Sequence, residues 1–287
     1  MKAVTLLHVI HPGIVDPESD LSAAQPITFA AMEIARKFAG GAVAVQLRAV
    51  LFADEQQLPL PAVFDRLPRL ERSIADMKTF KKRRKLALIR DILDAGVAGS
   101  DAEFVIYSNV DIALQPHFYT AVAAIVRQGY DAFVINRRTI PGTYSSPADI
   151  PLMYAEIGEP HKGYDCFVFR RQAYARFQLG RVHVGSAGIG RALLANQVAG
   201  GGAFREFRDA HLTFHIGDAC AWRDEALSDY LRENWNEYLA VFKEIEAERG
   251  EFQPDIRSYL LDTGERRFLP DFTSGCLRAG RPAPLPS

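Results

Sequence analysis

Runs of strand-forming residues alternate with amphipathic helical patterns along most of this sequence, and no other feature restricts its fold as strongly. Residues 1–10 form an apolar run that ends in the turn His11-Pro12-Gly13. Residues 27–38 place Ile27, Ala30, Ala31, Ile34, Ala35 and Phe38 at helical spacing, and Gly40-Gly41 stops the pattern. A strand over 42–52, a Pro-punctuated polar stretch through Pro68, an amphipathic helix through 86–93, a strand over 104–114, a helix over 117–128 and a strand over 131–136 follow. That order predicts an α/β fold with a mainly parallel central sheet flanked by helices.

The second half continues less regularly. Residues 137–160 have little periodicity and many turn formers, which predicts a long working loop. Gly163-Tyr164-Asp165 turns into a short apolar strand, helices are expected at 171–177 and 189–198, and Gly200-Gly201-Gly202 interrupts the chain before a strand at 210–218. A last helix over 224–248 carries Leu227, Leu231, Tyr238, Phe242 and Ile245 on one stripe. At 287 residues the chain can bury a full core without disulfides or structural metals. We expect one domain over 1–270 and a flexible tail, rich in Gly, Pro and Arg, over 271–287.

Charge and composition narrow the partners. A formal net charge of -1 gives no general attraction for nucleic acid. Cys166, Cys220 and Cys276 lack metal-ligand or disulfide spacing and fit a reducing, cytoplasmic compartment. The apolar N-terminus is short, is interrupted by His8 and has no convincing cleavage site, so a first buried strand is expected there. No window approaches the roughly 20 apolar residues of a membrane helix, so no transmembrane segment is expected.

Against this background the polar residues inside apolar runs stand out. On a continuous strand Asn109 and Asp111 would share a face, and a buried carboxylate requires a cation or hydrogen-bond donors. Two readings are open: Asp111 meets a divalent metal carrying phosphates, or the strand ends near Tyr107 and Asp111 caps a turn. Asp165 is either a working carboxylate or a turn cap, and His215 and Asp218 end a later strand. Open α/β sheets bind ligands at strand carboxyl ends, so these groups are expected to share one cleft. Oxygen ligands such as Asp111 with one imidazole such as His215 suit Mg or Mn on a diphosphate. Lys78, Lys81, Lys82, Arg83, Arg84 and Lys85 form a basic run ahead of this strand. Gly185-Ser186-Ala187-Gly188-Ile189-Gly190 reads as a turn into a helix and Trp235 as packing, while Trp222 is a candidate for stacking on a sugar.

The stretch Val105-Ile106-Tyr107-Ser108-Asn109-Val110-Asp111-Ile112-Ala113-Leu114 resembles the Asp-x-Asp signature of the GT-A glycosyltransferases, with Asn in place of the first Asp. The order of first strand and loop, basic helix upstream of the motif, Gly-Tyr-Asp turn and closing His on a late strand extends the resemblance over residues 3 to 220. It implies a single GT-A-like, Rossmann-like domain that moves a sugar from a nucleotide-sugar donor to an unknown acceptor hydroxyl. It further implies that Asp111 binds a divalent metal, Mn or Mg, and the donor diphosphate, and that His215 completes the metal shell or touches the diphosphate. Asn109 would contact ribose, His11 would lie near the nucleobase, Arg84 and Lys85 would neutralise phosphate, and Asp165 would be the catalytic base. An amide is a poorer metal ligand than a carboxylate. Two other readings are a non-catalytic relative that binds a sugar or a protein, and a sugar-phosphate nucleotidyltransferase.

Overall fold

A computed structural model describes residues 3–67, 69–218, 225–262, 269 and 277. Trp222, Cys220, Cys276 and, apart from Leu277, the expected tail over 271–287 lie outside the described residues. The chain opens with β1 (Val4–Ile10), α1 (Leu21–Ala39), β2 (Val43–Ala49), β3 (Phe64–Arg66), the single turn α2 (Ile74–Met77) and α3 (Ile89–Val97). β4 (Phe104–Ser108), β5 (Ala113–Leu114), α4 (Phe118–Arg127), β6 (Ala132–Ile135), β7 (Arg138–Ile140), α5 (Ile150–Met153) and β8 (Glu159–Pro160) follow. β9 (Cys166–Arg170), α6 (Arg171–Tyr174), α7 (Ile189–Val198), β10 (Phe204–Phe207), β11 (Thr213–Ile216), α8 (Ser228–Arg249) and α9 (Pro254–Leu261) complete the described strands and α-helices.

Seven strands form the main sheet in the order β10-β6-β9-β4-β1-β2-β3, with β9 antiparallel to both neighbours and the other pairings parallel. The expected mainly parallel sheet is therefore present. A smaller sheet, β5-β11-β7-β8, lies beside it. Strand alternation sends Leu7, Val9, Val105, Tyr107, Phe167 and Phe169 to one face, under α3, α7, α8 and α9. Leu6, Ile10, Phe104, Ile106, Cys166 and Val168 go to the other, under α1 and α4. Burial on both faces explains why these strands read as continuous apolar runs. α3 buries Ile89, Ile92, Leu93 and Gly96, and it lies so close to the sheet that a Cβ on Gly96 would stand 2.6 Å from Val9 Cγ1.

Several expectations need correction. The strand expected over 104–114 stops at Ser108, and Asn109–Ile112 form a turn closed by Ile112 N–H donating to Asn109 O at 3.2 Å. Asn109 and Asp111 are therefore turn residues, and the shared strand face does not exist. Arg84 and Lys85 lie on a loop ahead of α3, with no helix over the basic run. Like charges at helical spacing repel, and the loop is instead fastened to α8: Lys81 N–H donates to Asp229 Oδ2 and Arg84 N–H to Tyr230 Oη, each at 2.7 Å. The supposed loop over 137–160 contains β7, α5 and β8, elements too short for periodicity to reveal. β10 and α9 also escaped the pattern reading. β10 is a partly exposed edge strand, whereas Pro254 in the first turn of α9 was a legible start signal.

Candidate active site

The chain passes between the two sheets at several places, and three of these crossings carry the polar cluster. The first runs from β4 to β5 and bears Asn109 and Asp111; the second, from β6 to β7, bears Asn136 and Arg137; the third, from β8 to β9, bears Asp165. β4 and β6 end at this edge of the main sheet while β9, being antiparallel, begins there. The β4–β9 register sets Ser108 opposite Cys166 and so brings the next residues, Asn109 and Asp165, face to face.

Around Asp165 the geometry is tight. Asn109 N–H donates to the Asp165 carbonyl and Asn109 Nδ2 to Asp165 Oδ1, each at 3.1 Å. Arg137 Nη1 donates to Asp165 Oδ2 at 3.0 Å, and its Nη2 stands 3.8 Å from Asp218 Oδ1. Among the described residues Asp165 accepts one hydrogen bond on each side-chain oxygen, with His161 Nδ1 3.9 Å from Oδ2, and a carboxylate oxygen has a second lone pair for an incoming proton. The Arg137 guanidinium is almost entirely buried, so it sits where charge is weakly screened.

Asp111 is paired from the smaller sheet. His215 on β11 uses Nδ1 to donate to Gly217 O at 2.7 Å, which turns Nε2 toward Asp111 Oδ2 at 3.3 Å. Burial pushes the Asp111 carboxyl upward, but the hydrogen bond and charge of His215, helped by Arg137, outweigh it and leave it below the usual carboxylate range. Burial likewise lowers His215, and Asp111 reverses that and raises it. Both directions describe an ion pair. Asp111 Oδ1 and Arg137 Nε are buried without a hydrogen-bond partner among the described residues, a cost that a bound polar ligand would remove.

The sequence-predicted residues divide into two groups. Asn109, Asp111, Asp165, His215 and Asp218 come together as expected. Arg137, which links them, was missed; its signal was a basic pair, Arg137-Arg138, at the carboxyl end of an apolar strand. His11 and Lys85 gather separately beyond β1 and β2. His11 Nδ1 donates to Val50 O at 2.7 Å, and burial is the chief cause that lowers this imidazole to about 4. Lys85 Nζ lies 2.6 Å from Asp54 and 3.4 Å from Glu55, over the Phe52 ring at 4.5 Å. Arg84 is half-buried nearby in sequence, its backbone held by Tyr230. Trp235 packs, with its ring 5.2 Å from Tyr238, and the 185–190 turn leads into α7.

The expected divalent ion fits these donors in part. Asp111 offers a buried unpartnered oxygen, and His215 directs its second nitrogen at the same carboxylate. Among the described residues no three His, Cys, Asp or Glu side chains gather as a metal site, so phosphates and water would have to complete the shell.

No family model matches this sequence, and no curated protein does. The fold, however, has solved counterparts. S. aureus TarS 1-349 in complex with UDP-GlcNAc aligns with a TM-score of 0.51 at 9% identity, covering 91% of this chain and 70% of that one. The same protein in complex with UDP gives 0.51 at 7% identity, covering 90% and 69%. The likeness is one of fold, and the GT-A-like architecture expected from the sequence is present.

Proposed function

We propose that this protein transfers a sugar from a nucleoside-diphosphate donor, a UDP-sugar in the first instance, to an acceptor hydroxyl. One observation carries the reading: Asn109, Asp111, Arg137, Asp165 and His215 converge at the seam between the sheets, in a fold whose solved neighbours hold UDP and UDP-GlcNAc. Glycosyl transfer requires positive charge beside the departing diphosphate and a group that accepts the acceptor proton. Arg137 and His215 are the positive charges. Asp165 takes the proton from the attacking hydroxyl, with Asn109 and Arg137 fixing its orientation. Asn109 thus serves the base through its amide, a task an Asp in the same place would oppose by repulsion.

Asp111, with His215 once its Nε2 has given up its proton, would hold a Mn or Mg ion, which when bound would take over from the imidazolium as the charge beside the diphosphate. His11, Arg84 and Lys85 would receive the nucleotide at the β1 and β2 end. No helix among the described residues is long and apolar enough to cross a membrane.

Nucleotide release from UDP-GlcNAc, UDP-glucose and GDP-mannose, each with and without Mn, tests the proposal. Release from at least one donor is expected, falling by about 100-fold in Asp111→Ala. Nucleotide binding without release from any donor would make the protein a binding module and overturn the reading.

A further inference from the structure

An open groove of about 810 Å³ runs along the smaller sheet from the seam, and the proposed chemistry does not use it. Its lining comes from the β7 end and the turn after it, the segment 155–159 before and within β8, and Gly217-Asp218 beyond β11. One end is tied to the site itself: His215, paired with Asp111, donates to the carbonyl of Gly217, and Asp218 stands 3.8 Å from Arg137. The groove therefore begins at two residues joined directly to the buried charges that would meet a donor.

The walls are held in place. Arg138 donates to Ile157 O and, at 2.7 Å, to Gly158 O, and also pairs with Asp209, fastening the outer wall to β7. Gly217 N–H donates to Ile140 O at 2.9 Å, and an added Cβ on Gly142 would stand only 3.5 Å from Gly217 Cα. Two glycines thus let the two walls meet. Ile157, 74% exposed, leaves an apolar surface beside the opening.

Charge tells what such a groove accepts. Glu156, Glu159 and Asp218 line it, and among the described residues no Lys, Arg or His does. Glu156 accepts from Tyr144 Oη at 2.5 Å, so its carboxylate is oriented. Asp218 faces the Arg137 guanidinium at 3.8 Å, so the two glutamates set the charge of the opening, and their field attracts cations and repels phosphates or carboxylates.

We propose that this groove is the acceptor subsite and that it takes a hydroxylated acceptor bearing a protonated amine, as an amino sugar does. The proposal rests on the glycosyl-transfer reading, for which it names the acceptor class. The amine sits among Glu156 and Glu159, the apolar face of the ring lies along Ile157, and the hydroxyl points past Asp218 toward Asp165.

Glucosamine, glucose and glucose 6-phosphate share one skeleton and differ in charge, so they are the probes. Each is titrated by ligand-observed NMR into the full chain, at a pH that keeps the amine protonated. Glucosamine should bind about tenfold or more tightly than glucose 6-phosphate, with glucose between them, and salt should narrow the gap. The double variant Glu156→Gln/Glu159→Gln should lose the preference while its affinity for UDP, titrated separately, stays unchanged. Equal or stronger binding of glucose 6-phosphate, survival of the preference in the double variant, or no binding of any of the three would overturn the proposal. UDP binding without an amine preference overturns the groove alone; an amine preference without UDP binding overturns the donor reading alone.

Discussion

Arg137 balances the charges of the site. It is buried against Asp165 and close to Asp218, and it also helps to keep Asp111 ionised. Removing one member of a buried pair leaves an uncompensated charge, so Arg137→Met should destabilise the protein by about 3 kcal/mol or more in urea unfolding. His8 makes a different prediction. It is fully buried, with Nδ1 2.9 Å from Tyr119 Oη and Nε2 2.8 Å from Ser108 Oγ, and burial depresses it from 6.5 to about 3. Its folded form is neutral, so below pH 6.5 the unfolded chain binds more protons and stability falls with pH until about pH 3. The loss is on the order of 5 kcal/mol over that window. His8→Gln should flatten the slope of unfolding free energy between about pH 4 and 6.5, and an unchanged slope would contradict the assignment. At this scale the sequence was informative about which polar residues are unusual, because a carboxylate or imidazole in an apolar run is visible. It was silent about partners: nothing in the chain pairs Asn109 with Asp165 until the β4–β9 register is known.

Among the elements, the small sheet does the positioning. β5, β7, β8 and β11 are each two to four residues long, yet they carry His215 to Asp111 and form the wall of the groove. One glycine is decisive there. Gly158 has φ +62°, and a Cβ would stand 2.7 Å from Thr139 O, a backbone atom that cannot turn aside. Gly158→Ala should cost about 2 kcal/mol or more, from left-handed strain plus the clash, and a thermal melt would register it. Over one face of the main sheet, Phe242 on α8 is 1% exposed and stacks on Phe252 at 5.2 Å. Phe242→Ala should cost about 3–5 kcal/mol. The long elements were legible because α1, α4, α7 and α8 and the central strands bury whole faces and so repeat their pattern. The strand at 104–114 misled because Val110, Ile112, Ala113 and Leu114 continue the apolar run through a turn and into another sheet. Hydropathy records burial and does not record a change of direction.

At the scale of the molecule, two sheets meet along one seam, and the chain crosses it with a charged residue at three of its passages. The fold class followed from the alternation of strands and helices, while the seam did not, because its strands are too short to mark themselves. A ligand bridging both sheets should stabilise the folded state by about 2.7 kcal/mol at a hundredfold excess over its Kd, which a thermal shift would detect. The most direct test of a donor site at the seam is a calorimetric titration of UDP into the wild-type chain and into Arg137→Gln. The site predicts a Kd between about 1 µM and 1 mM for the wild type, weakened about tenfold or more by the substitution. Absence of UDP binding to the wild type, or equal affinity in the two proteins, would contradict it.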